Sequence, residues 1–106
     1  MTVVAQLFAW GDSLDDLVGP RVTQCALSRI CGGCGRPLGR PIALVGTPEE
    51  VDRLAFHAPP LHLACARDLL AGRDDWMLVT TAGFEFVRPA REDADRRPTF
   101  QPNSLL

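Results

Sequence analysis

The stretch "CGGCGRPLG", Cys31 to Gly39, and its distant counterpart "PPLHLACA", Pro59 to Ala66, decide how this chain is read. Cys31 and Cys34 have two residues between them, the spacing at which one tight turn presents two ligands to a tetrahedral metal. Gly32, Gly33 and Gly35 supply unhindered backbone where amide groups must curl toward thiolate sulfur. In the second stretch His62 and Cys65 stand three apart in the first turn of an expected helix. That spacing puts both on one face, where the positive end of the helix also favours a thiolate. The expected ligand set is therefore Cys31, Cys34, His62 and Cys65, holding one Zn2+.

A complete set of four protein ligands is the pattern of a structural zinc, whereas a catalytic zinc keeps a position open for water. A deaminase would need a Glu two residues after its ligand His, and Ala64 occupies that place. HExxH, GxSxG and phosphate-loop patterns are missing from the sequence. Glu49, Glu50 and His57 read equally well as a pocket lining or as a solvated face, so no residue is assigned a catalytic role. Thiol redox exchange between Cys31 and Cys34 is an alternative, opposed by "GRPLGRP", which cannot open a helix behind the second cysteine. Iron is the alternative metal for so thiolate-rich a site. Cys25 has no partner at ligand spacing and reads as a small core residue, and His57 falls before the two prolines, outside the helix turn.

The bulk composition sets the frame for that site. A chain of 106 residues with 46% hydrophobic and 23% charged residues is one soluble globular domain, small enough for an internal staple to matter. No apolar run approaches the roughly 20 residues of a membrane helix. The opening "MTVVAQLFAWGDSLDD" lacks the basic start and cleavage site of a secretory signal, so the expected location is the cytoplasm. Thiols stay reduced there and serve metals more often than disulfides. The net charge of −2 argues against holding nucleic acid by bulk electrostatics. The interval from Leu17 to Pro48 nevertheless carries Arg21, Arg29, Arg36 and Arg40 and no carboxylate. Arg29, Arg36 and Arg40 could contact an anion or nucleic acid beside the cysteine turn, or neutralise a site whose three thiolates and Zn2+ sum to a formal −1.

Local patterns place the elements. Apolar and β-branched residues run from Thr2 to Trp10, and "GDSLDD" follows as a turn. "RVTQCALSRI", Arg21 to Ile30, allows a helical or an extended reading and is taken as a short helix, and "RPIALVG", Arg40 to Gly46, reads as a strand. Thr47 is the expected N-cap of a helix to about Leu54, with Pro48 at its first position and Glu49 and Glu50 in its first turn. The main helix is expected over about Leu61 to Ala71, stopped by Gly72. A two-residue period on either side of "TAG" predicts a β-hairpin over about residues 76–88. Residues 91–106, charged and then Pro-rich, read as a flexible tail beyond a single domain over residues 1–90, with Phe100, Leu105 and Leu106 as its apolar members.

The knuckle "CGGCG", a β-hairpin after it and a helix opening on "HLAC" resemble the treble-clef family of zinc fingers over roughly residues 30–72. More narrowly, "CGGCGRPLGRPIALVG" with "PPLHLACARDLL" resembles a group of small actinobacterial proteins sharing a CxxCG, LG, PPxHxxCA layout. The resemblance implies metal binding and a small α+β treble-clef-like fold with β-hairpins and one main helix, and it brings no activity. One departure is His62, where treble clefs often carry a fourth Cys. Another protein is the expected partner, reached through the hairpin and tail, with nucleic acid as the alternative because treble clefs often bind it.

Overall fold

A computed structural model describes residues 7–104. The expectations placed on Thr2 to Gln6, and on Leu105 and Leu106, lie outside the described residues. Eight elements follow in chain order: α1 (Gly19–Ser28), β1 (Ile42–Gly46), α2 (Pro48–Arg53), β2 (Leu61–His62), α3 (Leu63–Leu70), β3 (Met77–Thr81), β4 (Phe84–Val87) and β5 (Thr99–Pro102). They build a small α+β fold with two antiparallel sheets, one in the order β2-β1-β3 and one of β4 with β5. Among the described residues no helix is long and apolar enough to cross a membrane.

β1 is the centre of the molecule, and all five of its residues are buried. "IALVG" therefore reads as a continuous apolar run rather than an alternating one, as a strand covered on both faces must. α3 and α2 pack against β1 and β3. The pairing of Ile42 with His62 and of Ala43 with Leu61 brings the second ligand stretch alongside β1. α1 takes the helical reading because Val22, Cys25 and Ala26 then fall on one buried face. It ends at Arg29, whose φ of 53° is left-handed and whose N–H returns to the Cys25 carbonyl, turning the chain into the cysteine loop.

α2 begins as its sequence predicts. The Thr47 side chain accepts from the Glu50 N–H and the Glu50 carboxylate accepts from the Thr47 N–H, with Pro48 in the first turn. Glu50 does more than cap: its Oε2 also accepts from the His57 amide at 3.2 Å and meets His57 Nδ1 at 2.5 Å. Burial works against this carboxylate. Hydrogen bonds from the His57 side chain, and then from the Thr47 and His57 amides, outweigh burial and hold its pKa below the usual value. A carboxylate depressed in the folded state stabilises the fold above its unfolded pKa and loses that contribution as the pH falls through the lower folded value. Glu50→Gln is thus expected to cost about 1–3 kcal/mol at neutral pH for the weakened cap and the lost charge-assisted bond. The gap to the native chain should narrow as the pH drops below the ordinary 4.5. Urea unfolding across acidic pH measures both; a gap that stays constant would show that the Glu50 charge is not what holds the loop.

Three expectations are corrected. The main helix starts at Leu63, not Leu61, because Leu61 and His62 spend their backbone as β2 against β1 and leave His62 as the extended N-cap, at φ −64° and ψ 149°. The two strands predicted over residues 76–88 form, as β3 and β4, but they do not make a hairpin. β3 pairs with β1 across five residues and β4 pairs with β5. The switch occurs at Thr81, fully buried, whose hydroxyl lies 2.6 Å from the Gly83 carbonyl and 2.8 Å from that of Ser104. It sends the chain into a second sheet instead of folding it back on itself.

The third correction concerns residues 91–106. Thr99–Pro102 is β5, and Phe100 within it is 0% exposed. Its ring meets Phe84 and Phe86 at centroid distances of 5.5 and 5.0 Å. Its backbone exchanges two hydrogen bonds with Phe56, of 2.9 and 2.6 Å. The folded unit therefore continues through this strand. Only the connection at residues 88–98 keeps the irregular, charged character that the composition suggested.

Candidate metal centre

The cysteine loop between α1 and β1 is gripped by backbone on several sides. Within it, the Cys31 N–H donates to the Arg36 carbonyl at 2.8 Å and the Gly35 N–H to that of Cys31 at 2.9 Å. From outside, the N–H groups of Phe8 and Ala9 donate to the carbonyls of Gly33 and Gly32. The Gly32 N–H in turn donates to Pro60, two residues before His62. Two glycines are required by this geometry. Gly35 has φ +76°, a conformation that side chains disfavour. A Cβ on Gly32 would stand 2.5 Å from Pro59 Cγ, so any side chain there would push the two ligand stretches apart.

Held this way, the sulfurs of Cys31, Cys34 and Cys65 and a ring nitrogen of His62 all lie within 4.8 Å of one another, where one metal ion could bind. Ligands about 2.0–2.3 Å from a tetrahedral ion stand about 3.3–3.8 Å apart. His62 Nδ1 is 3.3 Å from Cys34 Sγ and 3.9 Å from Cys65 Sγ. The other ring nitrogen, Nε2, lies 2.9 Å from the Pro37 carbonyl oxygen. A carbonyl can only accept, so Nε2 carries a proton, and in the neutral imidazole this leaves the Nδ1 lone pair facing the sulfurs. That is the tautomer a metal ligand needs, fixed by an outer-shell acceptor. Cys65 occupies the first turn of α3 and His62 its N-cap, which is how a three-residue spacing brings both donors to one point.

The surroundings of the sulfurs suit thiolates. The N–H groups of Gly33 and His62 each donate to Cys31 Sγ at 3.3 Å. For Cys34, burial pushes the thiol up, but hydrogen bonding from the Arg36 backbone and then from Cys31, His62 and Cys65 prevails and its pKa is lowered. Cys65 is pushed up to about 12, first by burial and then by Cys31. Protein groups alone thus favour a first thiolate and penalise further ones crowded against it, a penalty that a divalent cation removes. The three-sulfur, one-nitrogen donor set fits a zinc ion. Cys25, fully buried, is likewise pushed up to about 12 by burial and then Cys31. It stays outside the ligand group and packs in the core, as its lack of a spaced partner suggested.

The other residues singled out in the sequence have different surroundings. Arg29 is exposed but lies over the Phe84 ring at 4.7 Å, and Arg36 and Arg40 are exposed in and just after the cysteine loop. Glu49 is exposed, while Glu50 is buried and joined to His57. Sequence reasoning missed the Pro37 carbonyl and the amides on Cys31, since backbone acceptors and donors leave no mark on residue identity. It also missed Asp95, whose Oδ2 lies 3.1 Å from His57 Nε2. No protein-family model, no curated protein and no solved structure matches the chain.

Proposed function

We propose that the chain is a small non-enzymatic zinc-binding protein of the cytoplasm. One structural Zn2+ on Cys31, Cys34, His62 and Cys65 staples an interaction or accessory module. The observation that carries this reading is the convergence of four donor atoms within 4.8 Å from two stretches far apart in the chain. The Nε2 contact to Pro37 supports it by aiming the remaining nitrogen inward. The order of a knuckle, then β1 and β2, then a helix bearing the second ligand pair supports a treble-clef-like arrangement, with α2 set into the connection between the two strands. Another protein is the partner proposed. Nucleic acid is the weaker alternative, since the chain carries −2 and Arg29 is already engaged with Phe84. Cys31 and Cys34 are followed by a turn closed by the Ile30 to Pro37 bridge, not by a helix, which favours metal ligation over thiol redox exchange.

Mass-spectrometric metal analysis of protein purified without a metal-affinity tag tests the reading. One zinc per chain is expected, lost in His62→Ala and in Cys31→Ser. Iron in its place, or no metal at all, would overturn it and return Cys31 and Cys34 to thiol chemistry.

A further inference from the structure

A second cluster of chemistry-bearing side chains lies apart from the cysteines. His57 contributes to three adjoining clefts, the first of them about 330 Å³, and Arg97 lines the same three. The first cleft also takes in Thr47, Arg53, Arg73 and Trp76. His57 is clamped between two carboxylates, with Nδ1 at 2.5 Å from Glu50 and Nε2 at 3.1 Å from Asp95. The two carboxylates differ in kind. Glu50 belongs to the capping box of α2, and its side chain is 12% exposed. Asp95 sits on the β4–β5 connection, outside any helix or strand, and its side chain is 49% exposed. Glu50 therefore orients the imidazole, and Asp95 occupies the position that the oriented Nε2 addresses.

In that position the Asp95 carboxylate is treated as an anionic ligand is treated. Its oxygens meet the Arg97 guanidinium at 2.9 and 3.1 Å and the Arg97 amide at 3.0 Å, while His57 Nε2 lies 3.1 Å from Oδ2. A guanidinium fork, a backbone amide and an imidazole converging on one carboxylate make the donor set by which proteins recognise carboxylate and phosphate groups. Arg73 adds positive charge to the wall, stacked on Trp76 at 4.5 Å, although it already serves Asp15 and Asp75. Arg53 lines the cleft with no ion-pair partner among the described residues. With Asp95 displaced, the first cleft would hold three arginines against Asp15 and Glu50.

We propose that this cleft is an oxyanion-binding site for the phosphate or carboxylate group of a small molecule, built from His57, Arg97 and Arg53, and that Asp95 fills it as an internal stand-in. Glu50 is a positioning residue in this site, aiming the His57 ring without touching the ligand. The connection over residues 88–98 carries both the stand-in and Arg97. Ligand entry exchanges one carboxylate for another oxyanion, with no change in the sheet pairing at either end of the connection.

The test is titration of the isotope-labelled full chain with inorganic phosphate and, separately, with acetate, following the ring nitrogens of His57 and the side-chain nitrogen of Arg97 by nuclear magnetic resonance. An internal competitor lowers apparent affinity by the fraction of molecules in which the site is open, so Asp95→Ala is expected to bind about ten-fold more tightly than the native chain. Arg97→Gln should abolish saturation. Tighter binding of phosphate assigns a phosphoryl ligand, and tighter binding of acetate a carboxylate; either supports the site. Equal affinity in the native chain and folded Asp95→Ala, or no saturable shift in either, overturns it. Should Asp95→Ala lose its fold, the native chain against Arg97→Gln decides: saturation confined to the native chain supports the site, and any other result overturns it.

Discussion

Chelating the metal at neutral pH is expected to unfold the domain as a whole rather than loosen one loop. The apparent free energy of a structural zinc in small domains is about 10–16 kcal/mol, as large as the entire stability of an ordinary domain, about 5–15 kcal/mol. In this chain the ion would join the cysteine loop to the β2–α3 junction, and the same loop already touches Phe8 and Ala9 through the Gly33 and Gly32 carbonyls and Pro60 through the Gly32 N–H. Cys31→Ser should be the most damaging single ligand change. Its sulfur is fully buried and receives two amide N–H groups, which would be left facing a neutral hydroxyl on a shorter bond in place of a thiolate. Cys34→Ser should be milder, since Cys34 is exposed and water can reach the vacated position. Circular dichroism and thermal unfolding with and without chelator measure both. A cooperative transition surviving in metal-free protein would remove the staple from the account of stability.

Phe100→Ala is expected to cost about 3–5 kcal/mol, the range for emptying a fully buried aromatic site. The ring is 0% exposed and packs on Phe84 and Phe86, so its loss opens a cavity between β4, β5 and the Phe56 loop. Phe86→Ala, at a half-buried position on the same cluster, is the comparison and should cost less. Urea unfolding of the two variants decides. A Phe100→Ala loss no greater than that of Phe86→Ala would mean that β5 adds little to the fold. The result also bears on what a truncation would do, because a chain ending at residue 90 would strip β4 of its sheet partner and leave two apolar rings uncovered.

These two positions mark the difference between what residue order reveals and what it conceals. The Cys/His cluster that could hold an ion was legible because each pair is local: Cys31 with Cys34 in one turn, His62 with Cys65 at one helix start, spacings that suit coordination geometry. The capping box at Thr47 and Glu50 was legible for the same reason. Strand positions at Met77–Thr81 and Phe84–Val87 were also visible, because alternation reports which face a residue takes. Alternation does not report which neighbour a strand takes, and the "TAG" turn signal wrongly joined the pair. Phe100 was hidden by its company, a single aromatic among Pro, Gln, Arg and Asn, where average composition outweighs the one residue that is buried. Glu50 and His57 were visible as one of two readings, a pocket lining, but their link to Asp95 was unreadable for want of any spacing rule connecting α2 to the β4–β5 connection.

β5 also gives chain growth a direction that matters. Among the described residues every other element is synthesised before it, yet Phe56, Phe84 and Phe86 wait for Phe100 to complete their surroundings. The two Cys/His pairs of the candidate metal centre, by contrast, are both in hand once Cys65 has been added. A nascent chain can therefore bring these four donors together and assemble β1 and α3 while a sheet edge and the rings of Phe84 and Phe86 still face water. The interval between those events is when the polypeptide is most exposed to self-association or to capture by a chaperone, and arrival of the Thr99–Pro102 segment closes it.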